Sequence, residues 1–196
     1  MKSFDFKDKK VLIRVDFNVP QDENLAVTDN TRIMAAAPTI KKVLAEGGIP
    51  VLMSHLGRPG GERVPKMSLS ALVDEVEKAV GATVHFAEDC IGDVAAAAVA
   101  KAKAGEAVLL ENLRYYKEET TGDKGFAEAL AALGDIYLND AFGTAHRAHA
   151  STAIVAQFFS TENKGFGDLL NAEVESISNA LGSDRDSTVA IIGGAE

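Results

Sequence analysis

The chain has 196 residues, 46% of them hydrophobic and 25% charged, which suits one large soluble domain or one and a half small ones. Its formal net charge of −9 excludes a general nucleic-acid binder, which needs a basic footprint. No apolar run is long enough for a bilayer span, residues 1–10 hold no secretory apolar core, and the lone Cys90 allows no intrachain disulfide; a cytoplasmic protein with no membrane or nucleic-acid partner is expected.

Residues 11–13, Val-Leu-Ile, have the apolar density of a strand covered on both faces in a parallel sheet. Arg14 and Asp16 follow two apart, hence on the same side, and Asn18 and Pro20 mark where the backbone leaves the sheet. A polar turn over 21–30 leads into a helix over 31–46, capped by Asp29 or Asn30. Ile33, Ala36, Ala37, Ile40, Val43 and Leu44 fall on one face of it. Pro38 inside that pattern signals either a kink or the true first turn, and Gly47-Gly48 ends the helix. A second buried strand, 49–53, empties into Ser54-His55-Leu56-Gly57-Arg58-Pro59-Gly60-Gly61.

A helix over 68–80 closed by Gly81, a short strand over 83–86 and an alanine-rich helix over 91–103 come next. A strand over 107–110 then ends in Glu111-Asn112-Leu113-Arg114. A helix over 124–133 precedes a strand over 135–138, which runs into Asn139-Asp140-Ala141-Phe142-Gly143-Thr144-Ala145-His146-Arg147. Strands alternating with helices predict an α/β fold, a parallel sheet with helices on both faces and right-handed connections. Residues 165–168 read as a turn. Residues 169–181 read as an amphipathic helix with Leu170, Val174, Ile177 and Leu181 on one stripe, and 182–187 as a polar linker. Residues 188–192 read as another strand, running into Gly193-Gly194-Ala195-Glu196. Such a strand either extends the sheet edge or belongs with a further domain.

Of seven arginines, five lie in or beside the strand-end segments: Arg14, Arg32, Arg58, Arg114 and Arg147. Four strands deliver basic groups to their carboxyl ends, namely Arg14 with Asp16 and Asn18, His55 with Arg58, Arg114, and His146 with Arg147. In a parallel sheet those ends share one edge, where open α/β sheets bind ligands. Guanidinium forks suit phosphate and carboxylate, and Asp16 and Asn18 would orient hydroxyl groups. The plainer alternative makes Arg14 and Asp16 an internal ion pair and the histidines loop caps; recurrence in four separate loops favours a site. Other chemistries fit less well. His146 and His149 near Asp140 lack a Cys or Glu at zinc spacing. Ser54 and Ser151 have no nucleophile elbow, and neither a Walker A loop nor G-x-G-x-x-G occurs. Gly57, Gly60 and Gly61 serve the loop turn, and His85 reads as structural.

Four motifs, Arg-Val-Asp-Phe-Asn-Val-Pro (14–20), Ser-His-Leu-Gly-Arg-Pro (54–59), Leu-Glu-Asn-Leu-Arg (110–114) and Asn-Asp-Ala-Phe-Gly-Thr-Ala-His-Arg-Ala-His-Ala-Ser (139–151), resemble those of the phosphoglycerate kinase family in order and spacing. The resemblance runs along the whole chain. It implies a Rossmann-like domain over 1–167 that binds 3-phosphoglycerate or 1,3-bisphosphoglycerate, an interdomain helix and linker over 168–187, and over 188–196 the first strand of a truncated nucleotide-binding domain. Carried over, Asp16, Phe17 and Asn18 hold the glycerate end, and Arg32 stabilises the transferring phosphoryl group. His55, Leu56, Gly57, Arg58, Arg114 and Arg147 complete the substrate site, with Arg14 and His146 supporting. Gly193 and Gly194 open a nucleotide site that this chain leaves incomplete, and Glu196 stands where the family carries lysine. The resemblance further implies a monomer that uses Mg²⁺ with ADP or ATP when intact. This chain alone is expected to bind no cofactor and to be inactive without a C-terminal nucleotide domain. The rival reading is a non-catalytic anion-binding module that needs a partner domain.

Overall fold

Val11 and Ile13 point to one side of the first strand and Leu12 to the other, and each side meets its own apolar layer. The computed structural model describes residues 4–144 and 147–180. Strands β1 (Lys10–Arg14), β2 (Ile49–Met53), β3 (Val84–Ala87), β4 (Ala107–Leu110), β5 (Ile136–Asn139) and β6 (Lys164–Phe166) form one sheet in the order β3-β4-β2-β1-β5-β6. Every neighbouring pair is parallel, with Val11 opposite both Pro50 and Ile136. Helices α1 (Thr31–Ala45) and α2 (Val73–Val80) cover the Val11 and Ile13 side, through Ile33, Ile40 and Val76 among others. Helices α3 (Gly92–Lys101) and α5 (Lys124–Ala131) cover the other side, against Leu12, Val51 and Met53. The short α4 (Lys117–Thr121) precedes α5, and α6 (Asp168–Ala180) packs beside α1. This is the expected three-layer Rossmann-like α/β fold. None of its described helices is long and apolar enough to cross a membrane.

Where the structure departs from expectation, tertiary contacts account for it. Pro38 does not mark the first turn of α1 but stands inside the helix. Its missing hydrogen bond costs about 3 kcal/mol, whereas each of Ile33, Ile40 and Val43, fully buried here, contributes roughly 1.5–3 kcal/mol. The helix read over 68–80 begins instead as a 3-10 turn, Leu69–Leu72, whose cap Ser68 accepts from the Ser70 N–H at 3.2 Å. Residues 164–166, read partly as a turn, form β6, because backbone pairing of Lys164, Gly165 and Phe166 with Tyr137, Leu138 and Asn139 overrides the glycine signal. A π turn, Ala150–Ile154, and a 3-10 turn, Val155–Phe158, fill the β5-to-β6 connection and bury Ala150 and Val155. His146, Leu181, the 182–187 linker, the 188–192 strand, Gly193, Gly194 and Glu196 lie outside the described residues.

The chain leaves β1 and β2 toward one helical layer and β4 and β5 toward the other. The loops therefore part between β2 and β4 and again between β1 and β5. Crevices at such switch points are where α/β sheets accept ligands.

Candidate functional site

The β1 and β2 loops are fastened to one another before any ligand is considered. The Phe17 N–H donates to Ser54 Oγ at 2.8 Å, and the Gly57 N–H donates to Asn18 Oδ1 at 2.8 Å. Gly57 adopts φ +64°, and a side chain there would run into Met67, so glycine is what lets the loop present its amide to Asn18. The Gly57 carbonyl accepts from Arg114 Nη1 at 2.9 Å, which draws in the loop after β4. Asn112, fully buried, completes the staple. Its Oδ1 accepts from the N–H groups of Leu56 at 3.3 Å and Arg114 at 3.0 Å, and its Nδ2 donates to the carbonyls of Leu56 at 2.7 Å and Met67 at 2.8 Å. Glu111 beside it accepts from Ser68 Oγ and from the N–H groups of Leu69 and Asn112.

Above this scaffold a cavity of about 260 Å³ is lined by Asp16, Asn18, Arg32, His55, Gly57, Arg58, Arg114, Gly143, Thr144 and Arg147. Four loops after β1, β2, β4 and β5 and the start of α1 contribute to it. Its wall carries four guanidinium groups against the single carboxylate of Asp16, and that carboxylate is engaged by Arg32 Nη1 at 2.6 Å. An adjoining cavity of about 450 Å³ shares Arg58, Arg114 and Arg147 and adds Lys117, Thr120 and His149. The local field is strongly positive. Burial, and then Arg14, Arg114, His149 and Arg32, press the His55 pKa down to about 2, so its imidazole is neutral. Burial and the neighbouring Arg14, Arg147 and Arg58 likewise lower that of Arg114. Arg114 Nε and His149 Nδ1 are buried without a hydrogen-bond partner among the described residues. Guanidinium groups gathered on one wall recognise a phosphate or carboxylate.

A family model described as phosphoglycerate kinase matches residues 1–196. The chain belongs to the phosphoglycerate kinase family. It is 43% identical to the phosphoglycerate kinase of Porphyromonas gingivalis, over all of this chain and 52% of that protein. It is 48% identical to that of Moorella thermoacetica, over all of this chain and 49% of that protein. Among solved structures, the phosphoglycerate kinase of Coxiella burnetii superposes with a TM-score of 0.81 at 35% identity, covering 92% of this chain and 44% of that one. That of Pyrococcus horikoshii superposes at 0.80 and 28% identity, covering 90% and 44%. The chain thus spans about half the length of the relatives it matches.

Of the residues nominated from sequence, the structure brings Asp16, Asn18, Arg32, His55, Gly57, Arg58, Arg114 and Arg147 to one cavity. It does not bring the side chains of Phe17 and Leu56 there; both are buried in the apolar layer against α1 and α2, and their backbones fasten the loops. Arg14 is fully buried, and its partners are Ser151, His55 and the Val15 carbonyl rather than Asp16. His85 pairs with Glu106 at 2.9 Å, away from the cavity. Sequence reasoning passed over the fastening residues Glu111 and Asn112 and the buried Glu119, which accepts from both the hydroxyl and the backbone N–H of Ser151. A glutamate in a charged-looking run such as Lys117-Glu118-Glu119 gives no sign of burial; only the partner brought by the 150–158 segment reveals it.

Proposed function

We propose that this chain carries the phosphoglycerate half of a phosphoglycerate kinase, binding 3-phosphoglycerate or 1,3-bisphosphoglycerate in the arginine-lined cavity. One observation supports this most: four guanidinium groups, a neutral imidazole, Asn18 and Asp16 gather from four strand-end loops and the start of α1 around a space of about 260 Å³. Such a wall suits a small molecule with a phosphate at one end and a carboxyl group or acyl phosphate at the other. In this reading Asp16 and Asn18 orient the glycerate hydroxyl and Arg58, Arg114 and Arg147 neutralise the phosphate. Arg32 stabilises the phosphoryl group that passes between the acyl phosphate and ADP. Such transfer asks for positioning and charge neutralisation more than covalent help from the protein.

The described residues contain no group of three His, Cys, Asp or Glu side chains able to hold a metal ion. The arginine-lined cavity, whose one carboxylate, Asp16, is already paired with Arg32, does not fit a Mg²⁺ ion either. Mg²⁺ with ADP or ATP is proposed to bind a separate nucleotide domain, which the doubled length of the relatives accommodates. Residues 168–187 would serve as interdomain helix and linker and 188–196 as the first strand of that domain. The chain alone, a cytoplasmic monomer in this reading, is inactive as a kinase. Calorimetric titration with 3-phosphoglycerate at low salt, with ADP in parallel, tests the reading. Binding of 3-phosphoglycerate and not ADP is expected. A folded chain that binds neither overturns the substrate site, and turnover by the chain alone with Mg-ATP overturns the proposed division of labour.

A further inference from the structure

Beneath the cavity, side chains from four separate segments form one hydrogen-bonded line. Glu119 of α4 is fully buried; its Oε1 accepts from Ser151 Oγ at 2.6 Å and its Oε2 from the Ser151 N–H at 3.0 Å. Ser151 Oγ accepts from Arg14 Nε at 2.8 Å. Arg14, itself fully buried, donates through Nη1 to the Val15 carbonyl and through Nη2 to His55 Nδ1 at 3.1 Å. Chemistry fixes the direction of every link. A carboxylate only accepts, a guanidinium only donates and a hydroxyl has one proton. Ser151 therefore gives its proton to Glu119, and His55 Nδ1 is the bare, accepting nitrogen.

We propose that Glu119, acting through Ser151 and Arg14, is a positioning residue that holds His55 as its neutral Nε2–H tautomer, so that His55 meets an anionic ligand as a fixed hydrogen-bond donor. This rests on the cavity being the ligand site proposed above. The remainder of the surroundings agrees. His55 lines that cavity and is 4% exposed. Arg14 from β1, Arg32 from α1, Arg114 after β4 and His149 ahead of the π turn all disfavour an imidazolium; Asp16 after β1, Arg58 after β2 and Arg147 after β5 line the same cavity, the Asp16 carboxylate being taken up by Arg32. Glu119 offsets the charge of Arg14 from one hydroxyl away. Without that carboxylate the nearest counter-charge left to the buried Arg14 is Asp16, which is already paired with Arg32, a costly arrangement that relaxes by moving the guanidinium. The imidazole would then lose the donor that keeps Nδ1 bare.

The test is a ¹⁵N–¹H multiple-bond spectrum of the imidazoles in the ligand-free chain from about pH 5.5 to about pH 8, the range in which an ordinary histidine titrates. His55 should give one neutral pattern with its proton on Nε2 throughout. In Glu119→Gln an amide nitrogen, which cannot accept, replaces one of the two oxygens that receive Ser151, and in Ser151→Ala the link to Arg14 is gone. Both should lose the single pattern, as the second tautomer or the imidazolium appears, and both should bind 3-phosphoglycerate roughly ten-fold more weakly. A wild-type His55 that carries its proton on Nδ1, or that titrates near the ordinary value, overturns the proposal. So does weakened binding in folded variants whose tautomer is unmoved, which would mark Glu119 as merely structural. Should Glu119→Gln not fold, Ser151→Ala carries the same comparison. Because the tautomer is read without ligand, failure of 3-phosphoglycerate to bind would count against the substrate reading and leave this one to be judged by the spectrum.

Discussion

Arg32 Nη1 lies 2.6 Å from Asp16 Oδ2, so the arginine proposed to act on the transferring phosphoryl group is tied to a carboxylate of the same wall. The arginine side chain is 53% exposed, and pairs of that kind are worth about 0–1 kcal/mol. An arriving anion can therefore take Arg32 over at small cost. Arg32→Ala should change the folding free energy by less than about 1 kcal/mol in a urea titration while clearly weakening 3-phosphoglycerate binding in calorimetry. A large loss of stability would mean that the pair is structural.

Asn112→Ala should behave in the opposite way. It strips partners from buried N–H and carbonyl groups of Leu56, Met67 and Arg114, and each unsatisfied buried group costs roughly 1–3 kcal/mol. A loss of about 3 kcal/mol or more in chemical denaturation is expected, with poorer anion binding following from the loosened loops. A change confined to binding would show that the staple is dispensable.

His55 gives the chain an acid sensitivity of known sign. Its folded pKa, held at about 2, lies below its ordinary value, so between those two values the unfolded chain takes up a proton that the folded chain refuses. Stability from this group is fully present above the ordinary histidine pKa and falls as pH drops toward 2, by about 2 kcal/mol from pH 7 to pH 5. His55→Asn keeps an acceptor for Arg14 and removes the titration. Denaturation curves at the two pH values should show the wild type losing about 2 kcal/mol more than the variant. Equal losses would place the acid sensitivity elsewhere.

The sheet and its helical layers were legible because β1, β2, β4 and β5 are apolar on both faces and sit between amphipathic helices with terminal glycines. Arg58, Arg114 and Arg147 were legible as lining one cavity because each follows a strand that ends on the same edge of a parallel sheet. β6 was hidden, since a three-residue edge strand of Lys164, Gly165 and Phe166 carries neither alternation nor apolar density. Arg14 was only half read. Its place at a strand end was clear, but its choice of Ser151 over Asp16 depends on a π turn that brings residue 151 under the sheet's edge.

Gly167 joins the last helix to the site, and nothing larger fits there. Its N–H donates to the Asn139 carbonyl at 2.9 Å, and a Cβ would lie 2.1 Å from Asp140 Oδ1, which accepts from the Leu170 N–H at 3.1 Å. Gly167→Ala should cost about 2 kcal/mol through overpacking, read as a lower thermal midpoint, with the start of α6 exchanging its amide protons faster. Unchanged exchange there would show that the junction can shift freely.

The outer stripe of α6 should tolerate change. Val174 and Ile177 are 42% and 47% exposed although Leu170, on the same stripe, is buried. Val174→Ser and Ile177→Ser should each move the stability of this chain by no more than about 0.5 kcal/mol. A larger loss would show that the two side chains are packed rather than solvated.

The cavity takes its walls from loops after β1, β2, β4 and β5, and β5 begins 122 residues after β1 ends. No contiguous stretch of the chain holds a usable fraction of it. A ligand therefore gains nothing from a partly assembled sheet and acts only on the finished one. Saturating phosphoglycerate should slow the escape from the native state and leave the rate of its formation almost untouched. Occupancy would then protect the chain against proteases and heat without helping a newly made copy to fold.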